Sequence, residues 1–384
     1  MNPVNRKTVD ILIVGAGAYG LSAAWWMAQR REGHKILVLD EGEFASGGTG
    51  RNGAGFRMQW GLEFNIRLNQ ESIRFFEEAC ERLDYPDGID LKQGGYLLLA
   101  HSREMFEGFQ SNHRRQRELG VPSEILDTDD CLRLAPALNP DGVVGGSFCH
   151  KDGSASPFLW LDALLRAARR EGAEVRYRTR VRSLRSAGRA FAVDTTEGVI
   201  AASRVLVCTD WAAPQLLRTV GVDLPITGMP KEGLVTEAWK PHIGPMLISF
   251  RHDMALNQMA RGNIVAIVSR ERPEGDDIAS TPDFLPFAAT RLLDLVPSLA
   301  PVRVLRTWGG VISKTPDMQA VLGETDVPGL FVAVSAYKGF MTSPAVGRIM
   351  AELVLDGHSN DPAAALLSPS RFDRGDLVPE PLTV

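Results

Sequence analysis

Apart from Asp10, residues 9–14 are aliphatic and mostly β-branched, which predicts a buried strand. Leu21, Ala24, Trp25 and Ala28 follow at helical spacing, with the helix expected to end near Gly33, and residues 35–39 predict a second buried strand. Strand, turn, helix and strand within about 30 residues make a right-handed parallel βαβ unit. Further on, the pattern predicts helices over 66–83, 103–119 (charged, at the surface) and 158–171, and a strand over 96–100. Short strands at 173–177, 181–185, 190–194 and 204–208 read as an antiparallel meander. The proline-rich stretch 221–305 alternates strands at 233–237, 246–249 and 264–268 and closes with a helix at 284–295. A strand at 330–335 precedes a helix that starts at Ser343-Pro344, with Ser343 as N-cap, and is closed by Gly357. The last ~20 residues, rich in Pro, Ser and Asp, read as a loose tail.

Residues 11–29 carry no charged side chain, so length alone makes them a candidate membrane span or leader. Three glycines in their first half, Asp10 directly before, Arg30-Arg31-Glu32 directly after and no small-x-small cleavage site fit a buried strand, tight turn and buried helix instead. No transmembrane segment is expected. Hydrophobic residues at 44% and charged residues at 23% describe a globular chain, and 384 residues make two or three domains. The net charge of −5 argues against a nucleic-acid partner. The four cysteines form no CxxC pair, which argues against a zinc ribbon or disulfide framework and fits a cytoplasmic protein. The seven histidines show no metal-ligand spacing, so no metal is expected. Only eight of the 42 basic residues are lysines, so each lysine is informative.

The first chemistry-bearing motif is Gly15-Ala16-Gly17-Ala18-Tyr19-Gly20, a G-x-G-x-x-G between a strand and a helix. Gly15 permits the turn, Gly17 lets the backbone approach a pyrophosphate, and Gly20 lets helix and strand pack closely. The helix start offers N–H groups and the positive dipole end to phosphates. Asp40, 25 residues after Gly15, ends the second strand where a ribose would be held. Residues 46–57 hold five glycines in twelve positions, a loop built for close backbone approach, and carry Arg51 and Arg57.

These features, with Val181, Cys208-Thr209-Asp210-Trp211, Thr307-Trp308-Gly309-Gly310, Thr315-Pro316-Asp317 and Lys338-Gly339-Phe340 in that order, resemble the D-amino-acid-oxidase superfamily of flavoenzymes over most of residues 8–356. The nearest look is the beta subunit of sarcosine oxidase and of L-proline dehydrogenase. The resemblance implies an α/β (α+β) chain with a Rossmann-like FAD-binding domain, discontinuous over 1–75, 146–220 and 306–384, and a mixed-sheet substrate domain from 76–145 and 221–305. It implies FAD held by Gly15, Gly17, Ala18, Tyr19, Gly20, Asp40, Glu41 and Val181, with Thr209 and Trp211 flanking it. Gly48, Thr49, Arg51, Asn52, Gly53 and Ala54 would run beside the flavin, and Gly310, Lys338, Gly339, Phe340, Met341 and Thr342 would close on it. Arg57, Lys338 and Arg51 are the expected catalytic set, with Arg57 holding an anionic group of the substrate and Lys338 adding positive charge beside the ring.

Departures from the family refine this. Gly310 stands where some relatives carry a flavin-linking cysteine, so FAD is expected to be non-covalent. Pro157 stands where the sarcosine oxidase beta subunit carries a histidine for a second flavin, so FMN, if bound, is not covalent either. Met341 replaces a lysine that grips the substrate carboxylate in several amine oxidases. Ile264 falls near the position of an oxygen-activating lysine, and no lysine occurs between Lys240 and Lys314, which implies an electron acceptor other than oxygen. The implied reaction is oxidation of an amine C–N bond of an amino acid or N-substituted amino acid (sarcosine-, proline- or opine-like) by hydride transfer to flavin N5, as a dehydrogenase or oxidase. The alternatives are an FAD-holding beta-type subunit of a heteromer without turnover of its own, and another flavin oxidoreductase.

Overall fold

A computed structural model describes residues 7–188 and 190–381. Two eight-stranded sheets dominate it. In the first, strands Leu330–Val334, Gly198–Val207, Lys7–Val14, Ile36–Leu39 and Glu174–Arg176 lie parallel in that order. Ile11, Leu12, Ile13 and Val14 are all buried, because helices and the meander cover both faces of a central parallel strand. The helix Ala18–Ala28 packs against Ser343–Asp356 and Pro157–Arg170. Gly347 permits the closest part of that approach, since a Cβ there would collide with Ser22.

Several expectations change. The strand read at 173–177 is not part of a meander: Glu174–Arg176 extends the parallel sheet beside Ile36–Leu39, with Pro157–Arg170 as its crossover helix. The meander consists of Val181–Ala187, Ala190–Thr195 and Gly198–Val207. The last of these is ten residues long and gives its first half to the meander and its second half to Leu330–Val332. The helix read over 66–83 is two helices, Glu63–Glu77 and Ala79–Arg82, broken at Glu78. The N-cap of the last long helix is Thr342, with Ser343 already inside it. The expected loose tail is folded: helices Pro362–Leu366 and Arg371–Arg374 dock through Arg371, which has no exposed surface and pairs with Asp317. Among the described residues, no helix is long and apolar enough to cross a membrane.

The second sheet runs Val304–Lys314, Thr227–Ala238, Asn263–Val268, Met254–Gln258, Met246–Ser249, Tyr96–Ala100, Gly145–Cys149 and Ser123–Leu126. The expected domain cuts at 146 and 306 fall inside two of these strands, so residues 145–149 and 304–314 belong with the second sheet. Met254–Gln258 escapes the apolar pattern because Asn257 and Gln258 are themselves buried. One face of the sheet packs on helix Phe284–Leu295 through Leu234, Leu256, Ile264 and Ala266. The other face turns toward the glycine loop: Ile267 lies against Gly53, Tyr96 and Met246 against Gly55, and Gly310 against Arg51. Ile264 therefore belongs to the core and not to the wall above the loop. Lys231, in register with Gly310 and two residues before Gly233, which pairs with Ile267, lies on that wall.

Candidate active site

The nucleotide end of the cleft is made of backbone. Gly15 has φ +108°, and a Cβ there would stand 2.5 Å from Cys208 O; a Cβ on Gly20 would collide with Gly15 O. These two glycines are explained by the protein itself. Gly17 is not: it has an ordinary φ of −78°, and a Cβ would meet only Thr49 Oγ1, at 3.4 Å. Gly47 and Gly48 are equally open, with at most Val311 O at 3.8 Å. The helix at Gly17 has no side-chain cap and no acid in its first turn, which leaves its positive end free for an anion. Ala18 N–H donates to Thr49 Oγ1 (3.1 Å), tying the glycine loop to this turn.

Asp40 takes Ala16 N–H on Oδ2 (2.7 Å) and Gly42 N–H on Oδ1 (2.8 Å), and keeps lone pairs for a ribose. Glu41 is exposed and pairs with Arg180 at 3.1 Å. Val181 begins the meander, just past Thr179, whose N–H donates to Asp40 O (2.8 Å). Thr209 Oγ1 is buried without a partner beside the turn, and Trp211 is half-buried in the next turn. Asp210, which sequence reasoning passed over, is the junction here: Oδ1 accepts Ser335 N–H (2.9 Å), Ser335 Oγ (2.7 Å) and Ser313 Oγ (2.8 Å).

Two arginines six positions apart, Arg51 and Arg57, are opposite in character. Arg51 is consumed by backbone: Nε donates to Ser46 O (3.0 Å) and Nη1 to Gly309 O (2.8 Å), while Trp308 Nε1 donates to Arg51 O (2.9 Å). Gly310 leaves room for it, since a Cβ would stand 3.2 Å from Arg51 Cβ. Arg57 is only 3% exposed, lies 4.0 Å over the Trp60 ring, and its Nη1 has no partner. An unpaired buried guanidinium nitrogen is costly unless a ligand completes it. Behind it, buried Asp152 accepts Met58 N–H (2.8 Å) and Gln59 Nε2 (2.9 Å); burial pushes its carboxyl up to about 7. Asn52 braces the loop, donating to Thr49 O and accepting from Ala54 N–H, both at 2.5 Å.

Lys338 is buried. Its Nζ donates to Gln319 Oε1 (2.8 Å) and Met318 O (3.0 Å) and lies 4.6 Å over Tyr337 and 5.2 Å over Trp60. Burial, with a contribution from Arg57, brings its pKa down to about 7 against the pull of Glu380. Gly339 fits against Ser335, and Phe340 is a core residue stacked on Phe76 (5.4 Å). Met341 is partly buried against that core. Thr342 Oγ1 lies 2.8 Å from Tyr19 OH, joining the nucleotide turn to the last long helix. Ala54, Asp210, Met318, Ala336 and Tyr337 all have positive φ without being glycine, a concentration of backbone strain of the kind functional sites hold. In the segment that corresponds to the FMN-linking region of sarcosine oxidase beta subunits, Gly153–Ser154 pairs with Gly55–Phe56 and Pro157 opens a helix capped by Ser156. Among the described residues, no group of three or more His, Cys, Asp or Glu side chains is placed to hold a metal.

The open glycine cradle, the uncapped helix start and the unpartnered Thr209 hydroxyl fit a dinucleotide such as FAD. Comparison with known proteins agrees. The chain is 25% identical to sarcosine oxidase subunit beta of Rhodobacter capsulatus, over 99% of this chain and 92% of that protein. It is 27% identical to glycine oxidase of Geobacillus kaustophilus, over 90% and 92%. The structure of L-proline dehydrogenase from P. horikoshii superposes with a TM-score of 0.91 at 28% identity, covering 97% of this chain and all of that one. Residues 10–353 match the family model described as DAO, FAD-dependent oxidoreductase, and with the geometry above this places the chain in that family as an FAD-dependent oxidoreductase.

Proposed function

We propose that this enzyme oxidises the C–N bond of a small amino acid or N-substituted amino acid, in the class of sarcosine, proline and opines. The observation that carries the reading is Arg57: a buried cation over the Trp60 ring, with Nη1 unpartnered and therefore free to take a carboxylate oxygen in a charge-assisted hydrogen bond. The names of the relatives, sarcosine oxidase subunit beta, glycine oxidase and L-proline dehydrogenase, point to the same substrate class.

In this reading FAD lies along Gly15, Gly17, Ala18, Tyr19, Gly20, Asp40, Val181, Thr209 and the glycine loop, held without a covalent link. When bound, it supplies the two-electron acceptor for the substrate C–H bond. The chain does the rest by position. Arg57 fixes the carboxylate, while Tyr96, Met246 and Ile267 form a largely apolar wall that keeps water from the amine. Arg51 clamps the loop to Gly309 and does not reach the substrate. Lys338 supports the pocket from Gln319, with Arg57 over Trp60 as the standing cation beside it.

Lys231 bears on the electron acceptor: it lies on the wall with Nζ on Ser269 Oγ (2.9 Å), and burial lowers its pKa. The wall therefore does not lack a lysine, and the ground for excluding oxygen falls. A second reading, service as the beta-type subunit of a heteromer, is favoured by the relatives that bear that name.

The test is anaerobic titration of the purified protein with sarcosine, L-proline, glycine and an opine. Bleaching of the flavin by one of them, and release of all yellow colour on acid precipitation, are expected. No bleaching by any primary or secondary amino acid would overturn the substrate class, and colour retained in the pellet would overturn the non-covalent link. Fast reoxidation by air with stoichiometric peroxide identifies an oxidase; reoxidation much slower than dye-linked turnover identifies a dehydrogenase.

A further inference from the structure

Beyond the helix Arg371–Arg374 the chain turns back into the molecule. Arg371 anchors this return through Asp317: Nε donates to Oδ2 (2.9 Å) and Nη2 to Oδ1 (3.0 Å), with neither side chain exposed. Val378 N–H then donates to Asp317 Oδ2 (3.3 Å), and Val378 O accepts from Gln319 Nε2 (3.0 Å). Two residues later Glu380, 6% exposed, accepts Gly61 N–H on Oε1 and Asn65 Nδ2 on Oε2, each at 2.7 Å. Pro381 lies so close to Gly61 that a Cβ there would collide with it.

Both contacts lead to the cleft. Gly61 directly follows Trp60, the ring beneath Arg57, and Trp60 Nε1 donates to Arg57 O (2.8 Å). Asn65 shares Gln319 Oε1 with Lys338 Nζ, at 3.2 and 2.8 Å. A carboxylate is an expensive residue to bury, and a tail that only needed anchoring would be served by an apolar side chain. Here the carboxylate acts on buried Lys338 by its charge, and its contacts with Gly61 and Asn65 leave Arg57 Nη1 uncovered.

We infer that Glu380 is a positioning residue for the carboxylate-binding end of the cleft. It acts through the Trp60–Gly61 turn, which sets where the Arg57 guanidinium lies, and through Asn65 and Gln319, which hold Lys338. This rests on the reading of Arg57 as the substrate's carboxylate partner. Its electrostatic reach agrees: Glu380 opposes the fall of the Lys338 pKa and raises that of Tyr337.

The test uses the FAD-loaded full chain, Glu380→Ala, Glu380→Gln and a chain ended after Gly375, each checked for flavin content. Hydrogen exchange over residues 58–66 reads the strap directly. Flavin absorbance on titration with acetate, and turnover with whichever amino acid bleaches the parent, read the pocket. In Glu380→Ala and the shortened chain, Gly61 should lose its protection, the acetate Kd and the substrate KM should rise about tenfold, and kcat should stay within about threefold. Glu380→Gln, which can still accept Gly61 N–H, should recover most of the loss. Unchanged exchange at Gly61 overturns the inference. So does faster exchange with acetate Kd and KM unchanged, which would make the tail structural only. If the parent binds neither acetate nor an amino acid, the substrate reading falls instead, and exchange at Gly61 still decides whether Glu380 holds the turn.

Discussion

The nucleotide end of the cleft and its Arg57–Lys338 end are built by opposite means. The first is backbone: glycines at 15, 17 and 20, an uncapped helix start and a carboxylate at Asp40, nearly all within 26 residues of sequence. The second is side chain: Arg57, Trp60, Asn65, Asp317, Gln319, Lys338, Arg371 and Glu380, drawn from segments over 300 residues apart and almost wholly buried. A backbone site binds what every dinucleotide shares, its phosphates. A site of buried charges is tuned to one ligand, and each missing partner leaves a charge stranded in low dielectric.

That difference predicts unequal damage. Arg371→Ala strands Asp317 without its bidentate partner and should cost about 3–5 kcal/mol of stability, read as a lower urea midpoint. A loss below about 1 kcal/mol would mean that the arginine end is not assembled as described. Arg57→Ala should lower kcat/KM for the amino-acid substrate by about 2–3 kcal/mol, mostly through KM, with FAD retained. Arg51→Ala should instead weaken FAD retention and leave KM near the parent value, because its partners are Ser46 O and Gly309 O.

At the backbone end, Gly20→Ala forces a collision with Gly15 O and should destabilise by about 1–3 kcal/mol. Gly17→Ala should leave the melting temperature almost unchanged while weakening FAD, read by equilibrium dialysis; equal losses of stability in the two variants would erase the distinction between packing glycine and binding glycine. The smallest effect is in pH. Lys338 titrates near 7 in the folded chain and near the ordinary lysine value of about 10.4 when unfolded, so between these values the unfolded chain binds more protons. Stability from this group is therefore lowest below pH 7 and rises with pH up to about 10. Relative to Lys338→Met, the parent should gain about 1–2 kcal/mol between pH 6.5 and 8.5 in urea melts; a flat or falling difference would place the lysine in a wetter site.

The same contrast governs what the sequence discloses. The nucleotide turn is legible because its logic is local: strand, three glycines at fixed spacing, helix, acid. The glycine loop is legible for the same reason, although which of its arginines is spent on backbone depends on Gly309, some 250 residues away. The tail is not legible. Its Pro, Ser and Asp content reads as solvent-exposed loop, and nothing local to Arg371 or Glu380 announces Asp317 or Gly61 as partners. Glu174–Arg176 looks like one more short strand of the meander, and only the crossover helix before it reveals its parallel neighbour. Ile264 falls by position near the family's lysine, but strand alternation turns it into the core and puts Lys231, from another strand, on the wall.

The uncharged run 11–29 has consequences during synthesis. Its strand pairs with residues 200–207, and the cover of its helix is completed only when Pro344 accepts Trp26 Nε1 (3.0 Å) and Gly347 reaches Ser22. At ordinary ribosomal speeds of about 5–20 residues per second, that apolar stretch stays without its full native cover for tens of seconds while more than 300 further residues are made.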